Sequence, residues 1–347
     1  MNITKYMYRK DKVNIMKESI KNKVDLLVSN KEKIEKEFKW GYSLMNIAAA
    51  LVFTSENKEV DIERLKLCKQ ILKKNTGVFS SFRSYSEAVI VSKMANASDP
   101  EQYLNDVKVI YEKLRRNIFS DSSYLIQGAI CIYEAGKKSE ADILAKKFWD
   151  IYDKMTRKHP IITSSADIVF VILLAMTDKS VDEIVNEIED CYSYMRKNVK
   201  LNIGNNEYQG LGEILALSDG DITKKCDKVT DLYNTINARG VRWGKEYNEF
   251  ASLGLLIDLG VDNDTLIDEI VEVNEYLKNS KGFSGWTLDN KQRLMFSAML
   301  VGDDYGEGGN ILGSSAINST VAMVIAEEIA LMMCIMICTT TATTVND

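Results

Sequence analysis

Residues 168–197 read IVFVILLAMTDKSVDEIVNEIEDCYSYMRK, and the rest of the chain repeats their logic. The opening run, ending at Met176, is wholly apolar, so a helix there must be buried on more than one side. A short polar turn follows, and Asp178 to Ser180 supply N-cap residues for a second helix. That second helix alternates apolar and polar residues with helical spacing. The same pattern is plain at residues 221–237, where Ile222, Cys226, Val229, Leu232, Tyr233 and Ile236 form one stripe. One buried helix and one amphipathic helix make a hairpin that cannot cover its own apolar surface, so neighbouring hairpins must stack.

Working outward, the apolar run recurs with its polar turn. It ends at Phe53, Met94, Tyr133, Met176, Leu217, Leu259 and Leu300, in steps of 41, 39, 43, 41, 42 and 41 residues. A second series marks the amphipathic segment at Ile71, Tyr111, Tyr152, Tyr192, Tyr233 and Tyr276. A third marks the loop beyond it at Phe79, Phe119, Ile161, Ile203, Trp243 and Phe283. Three ladders sharing a period of about 41 residues predict an all-α superhelix of about seven helical hairpins. The expected layout is an N-terminal helical segment over 1–40, hairpins over 41–305, and a Gly-rich linker, apolar capping helix and polar tail over 306–347. An open α-solenoid is the expected form, with a closed α/α toroid as the alternative. Closure depends on tertiary contact, which the pattern does not specify.

Composition agrees with a helical, folded chain. The 347 residues are 46% hydrophobic and include only 2 Pro, which suits helices joined by short turns. Charge is uneven: residues 1–40 carry 11 Lys/Arg and 6 Asp/Glu, or +5, so the remainder of a chain with net charge −6 holds −11. Basic and acidic residues interleave, as in NKEKIEKEFK (30–39), which marks a solvated helix rather than a nucleic-acid stripe. The six cysteines form no CxxC pair and no secretory signal is visible, so a reduced, cytoplasmic protein is expected.

The aromatic-Ser loops VFSSFRSYSEA (78–88) and IFSDSSYLIQGA (118–129), the helix ends LLAMTD (173–178) and ILALSD (214–219), and the Ala/Met-rich C-terminus carry a resemblance. Over roughly residues 10–338 the chain resembles an uncharacterised bacterial family catalogued as domain of unknown function 4003. The resemblance implies a helical protein and transfers no catalytic residue.

Chemistry-bearing candidates are few. The single histidine, His159, sits in a loop with no second group apparent in the sequence, too little for a triad or a zinc site. Asp303, Asp304 and Glu307 match DDxxE, a spacing that resembles the aspartate-rich motif of terpenoid synthases and suits Mg²⁺ on a diphosphate. The segment reads as a loop, because it runs into GGNILGSS. That Gly-rich stretch lacks the Lys of a P-loop and the preceding strand of a dinucleotide site, so no cofactor is expected. The apolar helix at 321–338 carries Glu327 and Glu328 near its middle, which argues for a cap on the stack over a membrane span. The period places Arg83, His159, Arg242, Trp243 and Trp286 along one edge, and Arg with Trp is a frequent binding pair. The leading expectation is a non-enzymatic module that binds a protein or peptide. The alternative is a toroid acting on a hydrophobic small molecule, with Mg²⁺ at Asp303, Asp304 and Glu307.

Overall fold

The computed structural model describes residues 16–39, 43–78, 80–116, 122–199, 201–245, 249–284 and 288–306. Among them it is all-helical. In chain order the helices are α1 Glu18–Glu37, α2 Ser43–Thr54, α3 Ile62–Asn75, α4 Glu87–Asn96, α5 Pro100–Leu114 and α6 Ser123–Glu134. They continue with α7 Ala141–Lys158, α8 Ile168–Ala175, α9 Val181–Asn198, α10 Asn205–Leu215, α11 Ile222–Ala238, α12 Asn263–Asn279 and α13 Asn290–Gly306.

The even-numbered helices from α2 to α10 are the buried layer. Every residue of α8 is buried, as is every residue of α2 from Leu44 to Thr54. Their partners bury one stripe each; in α9 it is Ile184, Val185, Ile188, Cys191, Tyr192 and Met195. The amphipathic helices begin at the capping residues their sequences offer. Ser180 and Glu183 form a reciprocal capping box, Asp99 accepts from the Glu101 and Gln102 amides, and Asp262 accepts from the Thr265 amide. Where the layers meet most closely, side chains disappear: a Cβ on Gly212 would lie 2.9 Å from the Ile188 carbonyl oxygen, backbone that cannot retreat.

The sixth apolar segment departs from the expected α-helix. Residues Ala251–Leu255 form a 3-10 turn instead, with Leu253 N bonded to Phe250 O and Leu256 N to Leu253 O. The cause lies just upstream. The Glu249 carbonyl accepts from the Trp243 indole at 2.7 Å and from the Ser252 hydroxyl at 2.6 Å, so side chains take an acceptor that an α-helix would use. The DDxxE segment departs in the other direction: Asp303 and Asp304 belong to the last turn of α13, not to a loop.

The outer helices touch in sequence, α1 with α3, α3 with α5, α5 with α7, α7 with α9, α9 with α11 and α11 with α12. The series then returns, because α12 and α13 both contact α1. Lys23 reaches Asp303 at 2.6 Å, and Lys17 lies 3.7 Å from both Glu269 and Asp304 with its ammonium 3.4 Å from the centre of the Tyr305 ring. Tyr276 donates to Asp25, and Lys281 sits 3.6 Å from Glu32. Ile20, Val24 and Leu27 are fully buried on the same helix α1. The two ends of the described chain are therefore packed together.

Candidate functional site

Two clefts open where buried helices begin, beside the loops that the third ladder marked. The larger, about 630 Å³, is lined by Asn202, Asn206, Glu207, Tyr233, Asn237, Arg242, Trp243, Lys245 and Lys291, among others. Its basic residues Arg242, Lys245 and Lys291 face one acid, Glu207. Trp243 is a wall rather than a free hot spot: it is 4% exposed and pinned by its bond to the Glu249 carbonyl. Lys245 lies 5.7 Å from the centre of the Tyr233 ring and donates to the Asn202 carbonyl at 3.4 Å. Arg242 and Lys291 are exposed.

The smaller cleft, about 330 Å³, lies between the end of α1, the starts of α2 and α4, and the end of α3. Arg83 lines it with Lys39, Lys69, Lys73, Asn46, Glu87 and Tyr85. Lys69 is already engaged, donating to the Glu37 carbonyl at 2.9 Å and lying 4.1 Å from the centre of the Phe38 ring. The two clefts use corresponding positions of the chain: Lys39 and Asn202 are 163 residues apart, and Arg83 and Lys245 are 162 apart, four steps of the period in each case.

His159 lines neither cleft. Its Nε2 stands 2.9 Å from a Glu189 carboxylate oxygen and its ring 4.5 Å from that of Tyr192, so it does have a second group, supplied by α9 across the hairpin. Ile161 is 93% exposed and plugs no gap, whereas Trp243 and Phe283 in the same ladder are buried. Asp303 and Asp304 face lysines of the N-terminal segment, as described. Trp286, Glu307, Phe79, Phe119 and the apolar helix at 321–338 lie outside the described residues. Among the described residues no group of three His, Cys, Asp or Glu is placed to hold a metal ion, and no helix is long and apolar enough to cross a membrane.

A polar ladder runs beside the apolar ones. Asn46, Glu87, Gln127, Asp167, Gln209 and Glu249 stand in steps of 41, 40, 40, 42 and 40 residues, one toward the beginning of each of the first six buried segments. All but Glu87 are at most 4% exposed. Carboxylates and amides recurring where apolar residues are expected are the available signal, because buried polar groups need partners. At the centre of the series they find one another. Gln209 donates to Glu213 at 3.3 Å, Thr163 donates to Gln209 at 3.3 Å, and Asp167 takes the Ser164 amide at 2.5 Å. Burial pushes the Asp167 carboxyl up to about 6, against the bonds from Ser164, Glu213 and Gln209 that hold it down. At the first two positions the partners are missing among the described residues: Asn46 Oδ1 and Glu87 Oε1 are buried without a hydrogen bond.

The thiols among the described residues are unsuited to chemistry. Cys68, Cys131, Cys191 and Cys226 are buried. Cys191 Sγ lies 3.3 Å from Cys226 Sγ, and that contact together with burial raises the Cys191 thiol well above the ordinary range. Burial pushes Cys68 up to about 11.

No curated protein and no solved structure matches the chain. The family described as "Protein of unknown function (DUF4003)" does match it, over residues 30–330, and the chain belongs to that family.

Proposed function

We propose that the protein is a non-enzymatic, cytoplasmic helical-repeat module, closed into a ring, that binds an acidic segment of a protein partner where its buried helices begin. The observation that carries this reading is the larger cleft. Three basic residues, Arg242, Lys245 and Lys291, stand against Glu207 alone, a local +2 in a chain whose net charge is −6. Such a patch attracts anionic partners and raises their rate of encounter. Tyr233 and Trp243 add aromatic wall, and an opening of about 630 Å³ admits several side chains. Ring closure draws its support from the contacts of α12 and α13 with α1, which complete the succession of outer helices. The alternative, a toroid with Mg²⁺ at Asp303, Asp304 and Glu307, draws less from the geometry, since lysines already stand against both aspartates.

Anisotropy of a labelled oligoglutamate peptide tests the proposal against a Gly/Ser peptide of equal length. The oligoglutamate should bind the parent with an affinity that falls as salt rises. Replacing Arg242 and Lys291 together by Gln should weaken it by about tenfold. Equal binding of the two peptides, or an unaffected double variant, would refute the assignment of the partner as acidic.

A further inference from the structure

The smaller cleft differs from the larger in having unsatisfied acceptors at its floor as well as cations on its walls. Asn46 is 2% exposed, lines the cleft, and has its Oδ1 buried without a hydrogen bond among the described residues. Glu87, across the cleft at the first turn of α4, has a buried Oε1 in the same condition. An acceptor left unpaired in the interior is costly, and an ionised carboxylate oxygen more so, because its desolvation is larger. Both atoms call for a strong donor arriving from the cleft. The cations of the opposite kind of wall, Lys73 and Arg83, make no hydrogen bond or ion pair among the described residues.

We infer that this cleft is a binding site for a free α-amino acid, its ammonium bonded to Asn46 and Glu87 and its carboxylate held by Arg83 and Lys73. The reasoning is one of charge matching. A simple anion would meet Arg83 and Lys73 but leave both acceptors unpaired beside Glu87's charge. A simple cation would satisfy the acceptors and be repelled by Arg83, Lys73 and Lys39, which also line the cleft. Only a ligand carrying both groups a few bonds apart answers the whole set, and a guanidinium facing a carboxylate is the strong, directional form of such a contact. Met45 and Tyr85 give the cleft an apolar flank for a neutral side chain. Its volume of about 330 Å³ sits at the lower end of ligand pockets, roughly 300–1,000 Å³, as a ligand of this size requires. The site is separate from the Arg242 cleft and stands or falls independently of it.

Calorimetric titration of the full-length protein with each neutral L-amino acid is the test. Leucine, methionine, serine and glutamine serve as probes, followed by the N-acetyl and amide forms of whichever binds. At least one amino acid should bind, and blocking either its ammonium or its carboxylate should weaken it by about tenfold or more. Arg83→Gln and Glu87→Gln, at partly exposed positions, should each weaken it comparably while the ligand-free melting temperature holds. Asn46→Leu should abolish binding; if that variant fails to fold, the two partly exposed variants decide. Absence of binding by all the probes would overturn the inference, as would N-acetyl derivatives binding as well as the parent amino acid. Undiminished binding in both Gln variants would do the same.

Discussion

The buried helices have two unlike ends. At their C-terminal ends, side chains of neighbouring segments reach over and occupy the carbonyls that a helix leaves open. Asn96 donates to Val52 O at 3.0 Å, Arg64 to Ala95 O at 2.6 Å, Lys147 to Thr177 O at 2.7 Å, and Lys225 to Leu215 O at 2.7 Å. Most of these donors are cations, which also suits the negative end of the helix dipole. At the N-terminal ends beside the two clefts the balance reverses: among the described residues acceptors are buried unpaired at Asn46 and Glu87, and the side chains of Arg83, Arg242 and Lys291 make no hydrogen bond or ion pair. One end spends its polar groups on the fold, and at the two clefts the other leaves several available to a ligand. Residues of equal polarity therefore differ in what their removal should do.

The largest effect should come from breaking the junction of the chain ends. Asp303→Ala removes the carboxylate that stands 2.6 Å from the Lys23 ammonium, whose side chain is 7% exposed. The loss should approach about 3 kcal/mol, because a short charge-assisted bond to a buried ammonium is removed. Chemical denaturation measures it. A loss below about 0.5 kcal/mol would mean that the two ends are not joined in solution as described.

Next comes a capping cation. Lys225→Met keeps the stem of a residue that is 5% exposed but removes the donor to Leu215 O and Ser218 O. Hydrogen bonds from charged groups contribute roughly 1.5–3 kcal/mol, and a fall of about 2 kcal/mol is expected. Urea midpoints of the variant and parent, with slopes unchanged, check it.

Acidity sharpens the comparison at the polar ladder. The Asp167 carboxyl titrates near 6 when folded and near the ordinary 3.8 when unfolded, so the folded state holds the proton more tightly. Its contribution is fully present below about pH 4 and is lost as pH rises through 6. Asp167→Asn, which retains an oxygen for the Ser164 amide, should therefore be relatively more stable at pH 7 than at pH 4. The difference should be on the order of 2 kcal/mol. Thermal melts of both proteins at the two pH values report it, and a gap that is the same at both would show that Asp167 is not the group responsible.

Much of the fold is legible in the sequence because it rests on local pattern. The apolar runs, the capping Ser180 and Asp262, and the stripe from Ile222 to Ile236 each act within one or two turns of helix. Features set by distant contacts are not. The meeting of α1 with α13 depends on pairs such as Lys23 and Asp303, 280 residues apart, and no periodicity encodes it. The helical state of Asp303 and Asp304 belongs to the same junction. The 3-10 turn at Ala251–Leu255 follows from the Trp243 indole bonding to a carbonyl, which an apolar pattern does not register. Of the candidate site, Arg83, Arg242 and Trp243 were legible from the loop ladder, and the structure places them at the two clefts. Asn46 and Glu87 recur with the same period, but a ladder of apolar residues does not register polar positions, whose burial is set by the packing of neighbouring segments.

The central claim is that the polar groups lining the two clefts do not serve stability. Urea unfolding of Arg83→Gln, Glu87→Gln and Arg242→Gln, set beside Lys225→Met, tests it most directly. The three cleft variants should unfold within about 0.5 kcal/mol of the parent or above it, since groups kept for binding are often neutral or costly to the fold. Lys225→Met should lose about 2 kcal/mol. Cleft variants that fall as far as Lys225→Met would contradict the account, because both ends of the buried helices would then be structural.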